Sequence, residues 1–162
     1  MPLQHTPDLQ VRDTKEGRGV FANKDFKKGD ALLPFTGPLL TFEEFSPSDT
    51  EFEDHSLQIG KDLYIGPSGG IDDLVNHSCD PNTGLVIEGS DVRLVAIKDI
   101  KTGEEVVWDY STTMAEDKWE MDCACGSSVC RKKIRDFKHL RKDLQQKYIK
   151  LGIVPQFIVE SL

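Results

Sequence analysis

The sequence predicts a mainly β fold with some α, in which short strands form a compact body and a helix follows near the C-terminus. Short apolar and β-branched runs fill the first two thirds of the chain, separated by Gly, Pro, Asp and Asn as turns require. In the last quarter the apolar residues recur at steps of three and four, the period of one helix face. The length of 162 residues favours a single domain with a single core.

The composition is that of a globular protein, with 38% hydrophobic and 30% charged residues. No window approaches the roughly 18 apolar residues of a membrane span, and Met1–Arg12 lacks the apolar core of a signal peptide. We therefore expect an intracellular monomer without membrane contact, in the cytoplasm or the nucleus. In a reducing compartment its cysteines are thiols or metal ligands rather than disulfides.

The net charge of −8 is unevenly distributed. Nine Lys or Arg residues lie in Arg131–Lys150 against Asp136 and Asp143, whereas Asp30–Gly60 contains seven acidic residues and no Lys or Arg. An acidic body suits a cationic ligand or a basic peptide. The alternative is an ordinary solvated surface, which charge runs alone also fit.

The β-type segments follow one another through the first two thirds of the chain. They are predicted at Gly19–Ala22, Ala31–Thr36, Ser56–Gly60, Leu63–Gly66, Leu85–Ile87, Val92–Ile97 and Val106–Tyr110. The segment Val92–Ile97 is apolar at successive positions near its end, which predicts a strand buried on both faces. Thr41 and Glu44 form a capping box before a short helical turn, and the Gly-rich segment Gly66–Gly70 predicts a loop.

A basic amphipathic helix is predicted between Arg131 and Lys150. Its apolar face consists of Ile134, Phe137, Leu140, Leu144, Tyr148 and Leu151. Gly152 is suited to end the helix in the left-handed conformation, Ile153 can make the accompanying apolar contact, and Pro155 prevents the helix from resuming.

The cysteines indicate a metal site. Cys123, Cys125 and Cys130 form C-x-C-x4-C, and Cys79 lies far upstream. Four thiolates match a tetrahedral structural zinc, and the small residues between the ligands allow the chain to turn tightly. Unrelated buried thiols or two disulfides are the alternatives, but three cysteines so close together favour zinc.

Three further motifs are each weak alone. The segment Asn76–Asn82 (NHSCDPN) is a polar turn that a buried histidine could explain without any function. Gly103–Tyr110 (GEEVVWDY) is a turn that leads into a strand ending in aromatic residues. Gly17–Ala22 (GRGVFA) allows the backbone to approach a ligand closely, although it lacks the Lys-Ser/Thr of a phosphate-binding loop.

Taken together and in this order, GRGVFA, NHSCDPN, GEEVVWDY and C-x-C-x4-C resemble a SET domain followed by its post-SET zinc segment. The resemblance covers roughly residues 8–131. The chain is also similar to the compact SET proteins that lack a pre-SET zinc cluster, since no further cysteines precede Cys79. The resemblance implies the SET-domain β-clip of small curved sheets with a C-terminal pseudoknot, a post-SET segment and a C-terminal helix. It divides the chain into a SET domain at 8–114, a zinc segment at 119–133 and a helix with tail at 134–162.

The resemblance also implies roles for individual residues. Gly17, Arg18 and Gly19 would hold the methionine end of S-adenosylmethionine through their backbone, and Asn76 and His77 would contact the same cofactor. Tyr110 would be the catalytic tyrosine at the methyl-transfer site and would also touch the cofactor, while Trp108 and Phe35 would line the lysine channel. One structural zinc per chain would be bound by Cys79, Cys123, Cys125 and Cys130.

Two departures from the family pattern concern specificity. The usual Tyr-x-Gly appears as Phe35-Thr36-Gly37, which removes one hydroxyl from the site, and the channel aromatic is Trp108 rather than Phe or Tyr. Because the insert between the conserved halves is short, the peptide groove is either open or built by the acidic stretch Glu51–Asp54.

The resemblance implies an S-adenosylmethionine-dependent protein-lysine N-methyltransferase acting on a basic protein or peptide, a histone among the candidates. The alternative is a catalytically inactive SET-like module that binds peptides or nucleic acid. The basic segment Arg131–Lys150 would supply a weak nucleic-acid contact.

Overall fold

The computed structural model describes residues 6–44, 56–117 and 119–162 of the chain. Within them the backbone forms four small sheets and few helices, so the predicted fold class is confirmed. The acidic stretch Glu51–Asp54 lies outside the described residues.

The first sheet carries most of the predicted motifs. It has the order β1-β2-β10-β7, with β1 at Leu9–Thr14, β2 at Gly17–Ala22, β10 at Glu105–Trp108 and β7 at Asn76–His77. Strand β2 is antiparallel to both β1 and β10, whereas β7 runs parallel to β10. This arrangement brings the GRGVFA, GEEVVWDY and NHSCDPN motifs side by side, although long stretches of sequence separate them.

The other sheets complete the body. One has the order β3-β9-β8, a second has the order β4-β6-β5, and β11 pairs with β12. Their bounds are β3 Ala31–Pro34, β4 Leu39–Leu40, β5 Leu57–Gly60, β6 Leu63–Ile65, β8 Thr83–Glu88, β9 Asp91–Ala96, β11 Met121–Asp122 and β12 Lys133–Ile134. All pairs within these three sheets are antiparallel.

Helical structure is short. Three 3-10 turns lie at Ile71–Leu74, Tyr110–Thr113 and Phe137–His139, helix α1 spans Lys142–Lys150, and α2 spans Gln156–Val159. No helix in the described part of the chain is long and apolar enough to cross a membrane.

The main core lies between the sheets and includes Val20, Leu94, Ile100, Val106 and Trp108, all buried. A second cluster joins α1 and α2 to the body, and a third surrounds the cysteines.

Several local predictions are confirmed. One half of the predicted capping box forms, because the backbone N–H of Thr41 donates to the Glu44 carboxylate, whereas the N–H of Glu44 donates to the Thr41 carbonyl rather than to its hydroxyl. Helix α1 ends in a Schellman motif, in which Gly152 has φ +74° and the N–H of Ile153 donates to the carbonyl of Tyr148. The Gly66–Gly70 segment is a loop.

The predicted strand Val106–Tyr110 is too long, because β10 ends at Trp108. Asp109 caps a 3-10 turn by accepting a hydrogen bond from the backbone N–H of Ser111, and Tyr110 begins that turn. The prediction that Val92–Ile97 is buried on both faces is also wrong in part. Buried and half-buried residues alternate along β9, since one face packs into the core and the other is only partly covered.

The long helix predicted across Arg131–Lys150 forms only from Lys142 onward. Its first half is instead the short strand β12 and a 3-10 turn. The chain is held there by tertiary hydrogen bonds, because the N–H of Cys123 donates to the carbonyl of Lys132 and the N–H of Phe137 donates to that of Met114. Pairing with distant parts of the chain therefore overrides the helical repeat of the apolar residues, which by itself determines the secondary structure only weakly.

Candidate active site and metal centre

A large cleft brings several predicted site residues together. Its volume is about 960 Å³, and its walls include Phe35, Asn76, His77, Trp108 and Tyr110. A cavity of this size lies in the range of small-molecule and cofactor sites. These residues come from three separate regions of the sequence, which the sheet topology joins.

Tyr110 presents its hydroxyl in this cleft. The hydroxyl donates a hydrogen bond to the carbonyl oxygen of Val75 at 2.8 Å. Burial raises the pKa of Tyr110, with a smaller contribution from the negative charge of Glu105, so the phenol stays protonated. With its proton directed to Val75, the oxygen keeps its lone pairs as acceptors for another group.

Aromatic rings pack beside the Tyr110 ring. The ring centroids of Trp108 and Tyr110 are 4.7 Å apart, and Phe35 meets Trp108 edge-on at 6.1 Å. Trp108 is 5% exposed, and its buried indole nitrogen has no hydrogen-bond partner among the described residues. The three residues form an aromatic wall of the cleft.

His77 connects the aromatic wall to the cysteines. Its Nδ1 accepts a hydrogen bond from the backbone N–H of Tyr110 at 3.1 Å, and its Nε2 lies 3.4 Å from Cys79 Sγ. Burial lowers the pKa of His77 to about 4, although the nearby Asp109 opposes the shift. The ring is therefore neutral at physiological pH, with its proton on Nε2 facing the sulfur.

Asn76 joins β7 to the strands beside it. Its side-chain amide donates to the carbonyl of Arg18 at 3.0 Å and to Glu105 Oε1 at 2.9 Å. Gly19 is required for this contact, because a Cβ there would lie 2.5 Å from Glu105 Oε1 and 3.0 Å from Asn76 Nδ2. A larger residue would push the amide out of place.

The predicted cofactor residues do not all reach the cleft wall. Among the described residues, Glu16 and Asn76 line it, but Gly17, Arg18 and Gly19 do not. Cofactor binding through the backbone of these three residues stays a prediction.

The four cysteines converge at one point. Their sulfur atoms all lie within 4.8 Å of one another, and Cys79 Sγ and Cys123 Sγ are 3.8 Å apart. A tetrahedral site with Zn–S distances of about 2.3 Å has S–S edges of about 3.8 Å, so this donor set fits zinc. All four are free thiols, which removes the alternative of two disulfides.

The zinc segment adjoins the active-site cleft. Cys123 and Cys125 line the cleft, whereas Cys79 and Cys130 lie behind it. Cys79 and Cys123 are buried, and their burial raises the pKa of both thiols. A bound cation favours the thiolates, so metal binding releases protons at this centre.

Some residues of the site carried no sequence signal of their own. Seven acidic residues line the cleft, but no Lys or Arg of the described residues does; they are Glu16, Glu43, Asp72, Asp73, Glu116, Asp122 and Asp136. They come from six segments of the chain, so only the three-dimensional fold could reveal them as one group. An ion pair between the buried Asp109 and the partly buried Arg131 was also missed, although Asp109 lies within GEEVVWDY and Arg131 directly follows the last cysteine of C-x-C-x4-C.

The family model for the SET domain matches residues 17–111. The chain belongs to the SET-domain family. Its SET domain has relatives among curated proteins. The chain is 32% identical over 140 residues to the variant-silencing SET domain-containing protein of Plasmodium falciparum. The aligned region covers 76% of this chain and 5% of that protein. The chain is 29% identical over 133 residues to the histone-lysine N-methyltransferase trr of Drosophila melanogaster. The aligned region covers 75% of this chain and 6% of that protein.

This SET domain thus spans only a small fraction of the curated relatives it matches. Among solved structures it resembles Arabidopsis thaliana SUVH6 in complex with SAM, with a TM-score of 0.67 and 23% identity, over 78% of this chain and 33% of that one. This likeness confirms the fold. The domain bounds 8–114, 119–133 and 134–162 stay predictions.

Proposed function

We propose that this SET domain is an S-adenosylmethionine-dependent protein-lysine N-methyltransferase. The observation that carries the proposal is the cleft that Tyr110 lines together with Phe35 and Trp108, next to Asn76 and His77. Family membership supports the same reaction.

The aromatic wall suits a lysine side chain. A lysine amine has a pKa near 10.4 and must lose a proton before it can attack. Transfer from water into a channel of aromatic rings disfavours the ammonium form and lowers this pKa. A methyl sulfonium in the same cleft adds a second positive charge that acts in the same direction.

Tyr110 orients the reacting groups. Because its proton is given to Val75, its oxygen can accept a hydrogen bond from the amine or a weak C–H contact from the methyl group. Methyl transfer then needs the amine, the methyl carbon and the sulfur in line, which is a matter of positioning. S-adenosylmethionine, when bound, supplies the electrophilic methyl group.

The remaining predicted residues bind the cofactor or stabilise the fold. Asn76 and His77 lie on the cleft wall, where they can contact the cofactor. The Arg18 carbonyl accepts a hydrogen bond from the Asn76 side chain, and Gly19 leaves room for that side chain. The four thiolates leave no open position on a zinc ion, so the metal is structural.

The cleft favours a basic protein substrate. Its described walls carry seven carboxylates and neither Lys nor Arg, a distribution that attracts cationic peptides and repels acidic ones. Lysine-rich tails such as those of histones match this charge, which would place the protein on chromatin.

Nucleic-acid binding through Arg131–Lys150 is a weaker proposal. Most cations of this segment have acidic partners within the protein; these are Arg131, Lys133, Arg135, Lys138 and Arg141. Ion pairs within the protein reduce the counterion release that drives phosphate binding.

The proposal is tested with zinc-loaded protein, labelled S-adenosylmethionine and purified core histones. We expect the label to enter histone lysines, with a mass increase of one or more methyl groups. An inactive peptide-binding module would instead retain histone in a binding assay and transfer no label, which would contradict the proposal.

A further inference from the structure

Helix α1 makes a polar contact with the residue that caps the 3-10 turn of Tyr110, although the helix does not reach the cleft. None of its residues Lys142–Lys150 lines the cavity. Tyr148, which is 1% exposed, nevertheless donates its hydroxyl proton to Asp109 Oδ2 at 3.0 Å. Asp109 lies in the sequence between Trp108 and Tyr110, two of the aromatic residues of the proposed site.

The Asp109 side chain is fully buried and completely hydrogen-bonded. Arg131 binds both of its oxygens, with two contacts of 2.8 Å, and the backbone N–H of Ser111 donates to Oδ1 at 3.1 Å. Tyr148 supplies the fourth hydrogen bond. A buried carboxylate with this many partners is held in one orientation, and the loss of any partner leaves a lone pair unsatisfied.

Asp109 transmits this constraint to Tyr110. Its carboxylate caps the 3-10 turn Tyr110–Thr113, and its carbonyl accepts both the N–H and the hydroxyl of Thr112. The orientation of the turn sets the direction of the Tyr110 ring, whose hydroxyl must stay within hydrogen-bond distance of Val75.

Arg131 connects the same carboxylate to the zinc segment. It directly follows the zinc ligand Cys130, its backbone N–H donates to Cys79 Sγ at 3.4 Å, and its guanidinium also donates to Ser111 Oγ at 3.2 Å. The turn that carries Tyr110, the zinc segment and α1 therefore meet at a single buried side chain.

We propose that Tyr148 is a positioning residue for methyl transfer, whose hydroxyl acts through Asp109 and Arg131 to hold the turn of Tyr110 in place beside the zinc segment. The inference rests on the proposed function of the cleft. It assigns α1 a part in the reaction, beyond its part in the apolar cluster it shares with α2.

The direct test is Tyr148→Phe, which removes one buried oxygen and keeps the ring. With core histones as substrate we expect kcat to fall about tenfold, because a small displacement of a reacting group is costly. The KM values for histone and for S-adenosylmethionine should stay within about twofold, since Tyr148 touches neither.

Gln145→Met is the matched control on the same helix. Gln145 is buried and donates to the carbonyls of Phe137, Lys138 and Leu140, with no contact to Asp109. Its loss should lower the melting temperature at least as much as Tyr148→Phe does, because three carbonyls, two of them buried, each lose a hydrogen bond. Its kcat, measured well below the melting temperature, should stay within about twofold of wild type.

Hydrogen exchange at the amides of residues 110–113 gives a readout that does not depend on activity. Tyr148→Phe should speed this exchange while Gln145→Met leaves it unchanged. Three results would overturn the inference. They are kcat losses that follow the melting temperature equally in both variants, an unchanged kcat in Tyr148→Phe, and unchanged hydrogen exchange at the turn in Tyr148→Phe. If wild type transfers no methyl group, the proposed function fails, and the exchange comparison alone still decides whether Tyr148 holds the turn.

Discussion

At the scale of the residue, the Tyr110 hydroxyl is the polar group that we place at the methyl-transfer site. Its hydrogen bond to Val75 fixes the direction of its proton and leaves the oxygen free to accept. Tyr110→Phe should lower the methyl-transfer rate by at least about 10²-fold, the range expected for one electrostatic contact at a transition state.

The same variant should fold and bind cofactor nearly as wild type does, because only one oxygen is lost. Steady-state kinetics with calorimetry of S-adenosylmethionine binding measure both quantities. Wild-type turnover in Tyr110→Phe would mean that this tyrosine is only a core residue.

Trp108 should set how many methyl groups are added. Its indole packs 4.7 Å from the Tyr110 ring and fills more space than Phe would. Each added methyl group needs room beside the amine, and overpacking costs roughly 1–3 kcal/mol, which slows a later transfer about 5- to 150-fold. Wild type should stop mainly at mono- or dimethyl-lysine.

Trp108→Phe should advance the product by one methyl group. Mass spectrometry of one histone peptide at matched turnover compares the two proteins. An identical product distribution would place the indole outside the channel, as a core aromatic alone.

Individual residues were predictable where a short motif contains them. NHSCDPN and GEEVVWDY contain Asn76, His77, Trp108 and Tyr110, and the structure places all of these on one cleft. Tyr148 was predicted only as part of an apolar helix face, because no local pattern indicates that its hydroxyl meets a buried carboxylate. Such partners depend on tertiary packing.

At the scale of the element, the zinc segment is the part of the chain that depends most on a ligand. Cys123 and Cys125 form cleft wall as well as metal site. We expect one zinc per chain, and removal by a chelator should abolish methyl transfer before the β body unfolds, because the body has its own core.

Metal analysis and circular dichroism during chelation follow the two events separately. Fully active protein with substoichiometric zinc would contradict this prediction. Simultaneous loss of zinc, activity and β signal would show that the body is not stable without the metal.

Elements differ in how well their sequence predicts them. The Schellman end of α1 is local and was predicted correctly, and the Thr41–Glu44 capping box, also local, forms in part. The start of α1 was not, because β12 pairs with β11 and removes Lys133–Ile134 from the helical pattern. The two-residue strand β7 forms only through its parallel partner β10, a contact between distant parts of the chain.

At the scale of the whole molecule, negative charge is concentrated at the described cleft and positive charge in the segment Arg131–Lys150. Carboxylates line the described cleft, while five of the nine cations of Arg131–Lys150 pair with acidic neighbours. The fold class could be predicted from the sequence because strands and helix differ in period. The acidic character of the cleft could not, since its carboxylates come from many segments.

This charge predicts a salt-sensitive reaction. Raising the ionic strength from about 0.05 M to about 0.5 M should lower kcat/KM for histones several-fold while kcat changes little, because screening weakens the encounter rather than the chemistry. A neutral peptide that contains one lysine is the control and should show little salt dependence. Equal salt effects on both substrates would contradict steering by the cleft.

The most direct test of the central claim is methylation of whole-cell extract with labelled S-adenosylmethionine, comparing zinc-loaded wild type with Tyr110→Phe. Mass spectrometry then locates the modified residues. We expect wild type to add methyl groups to lysines in basic segments, and the label to fall at least about 10²-fold with Tyr110→Phe. Label on another residue type, equal labelling by both proteins, or no labelling by wild type would contradict that claim.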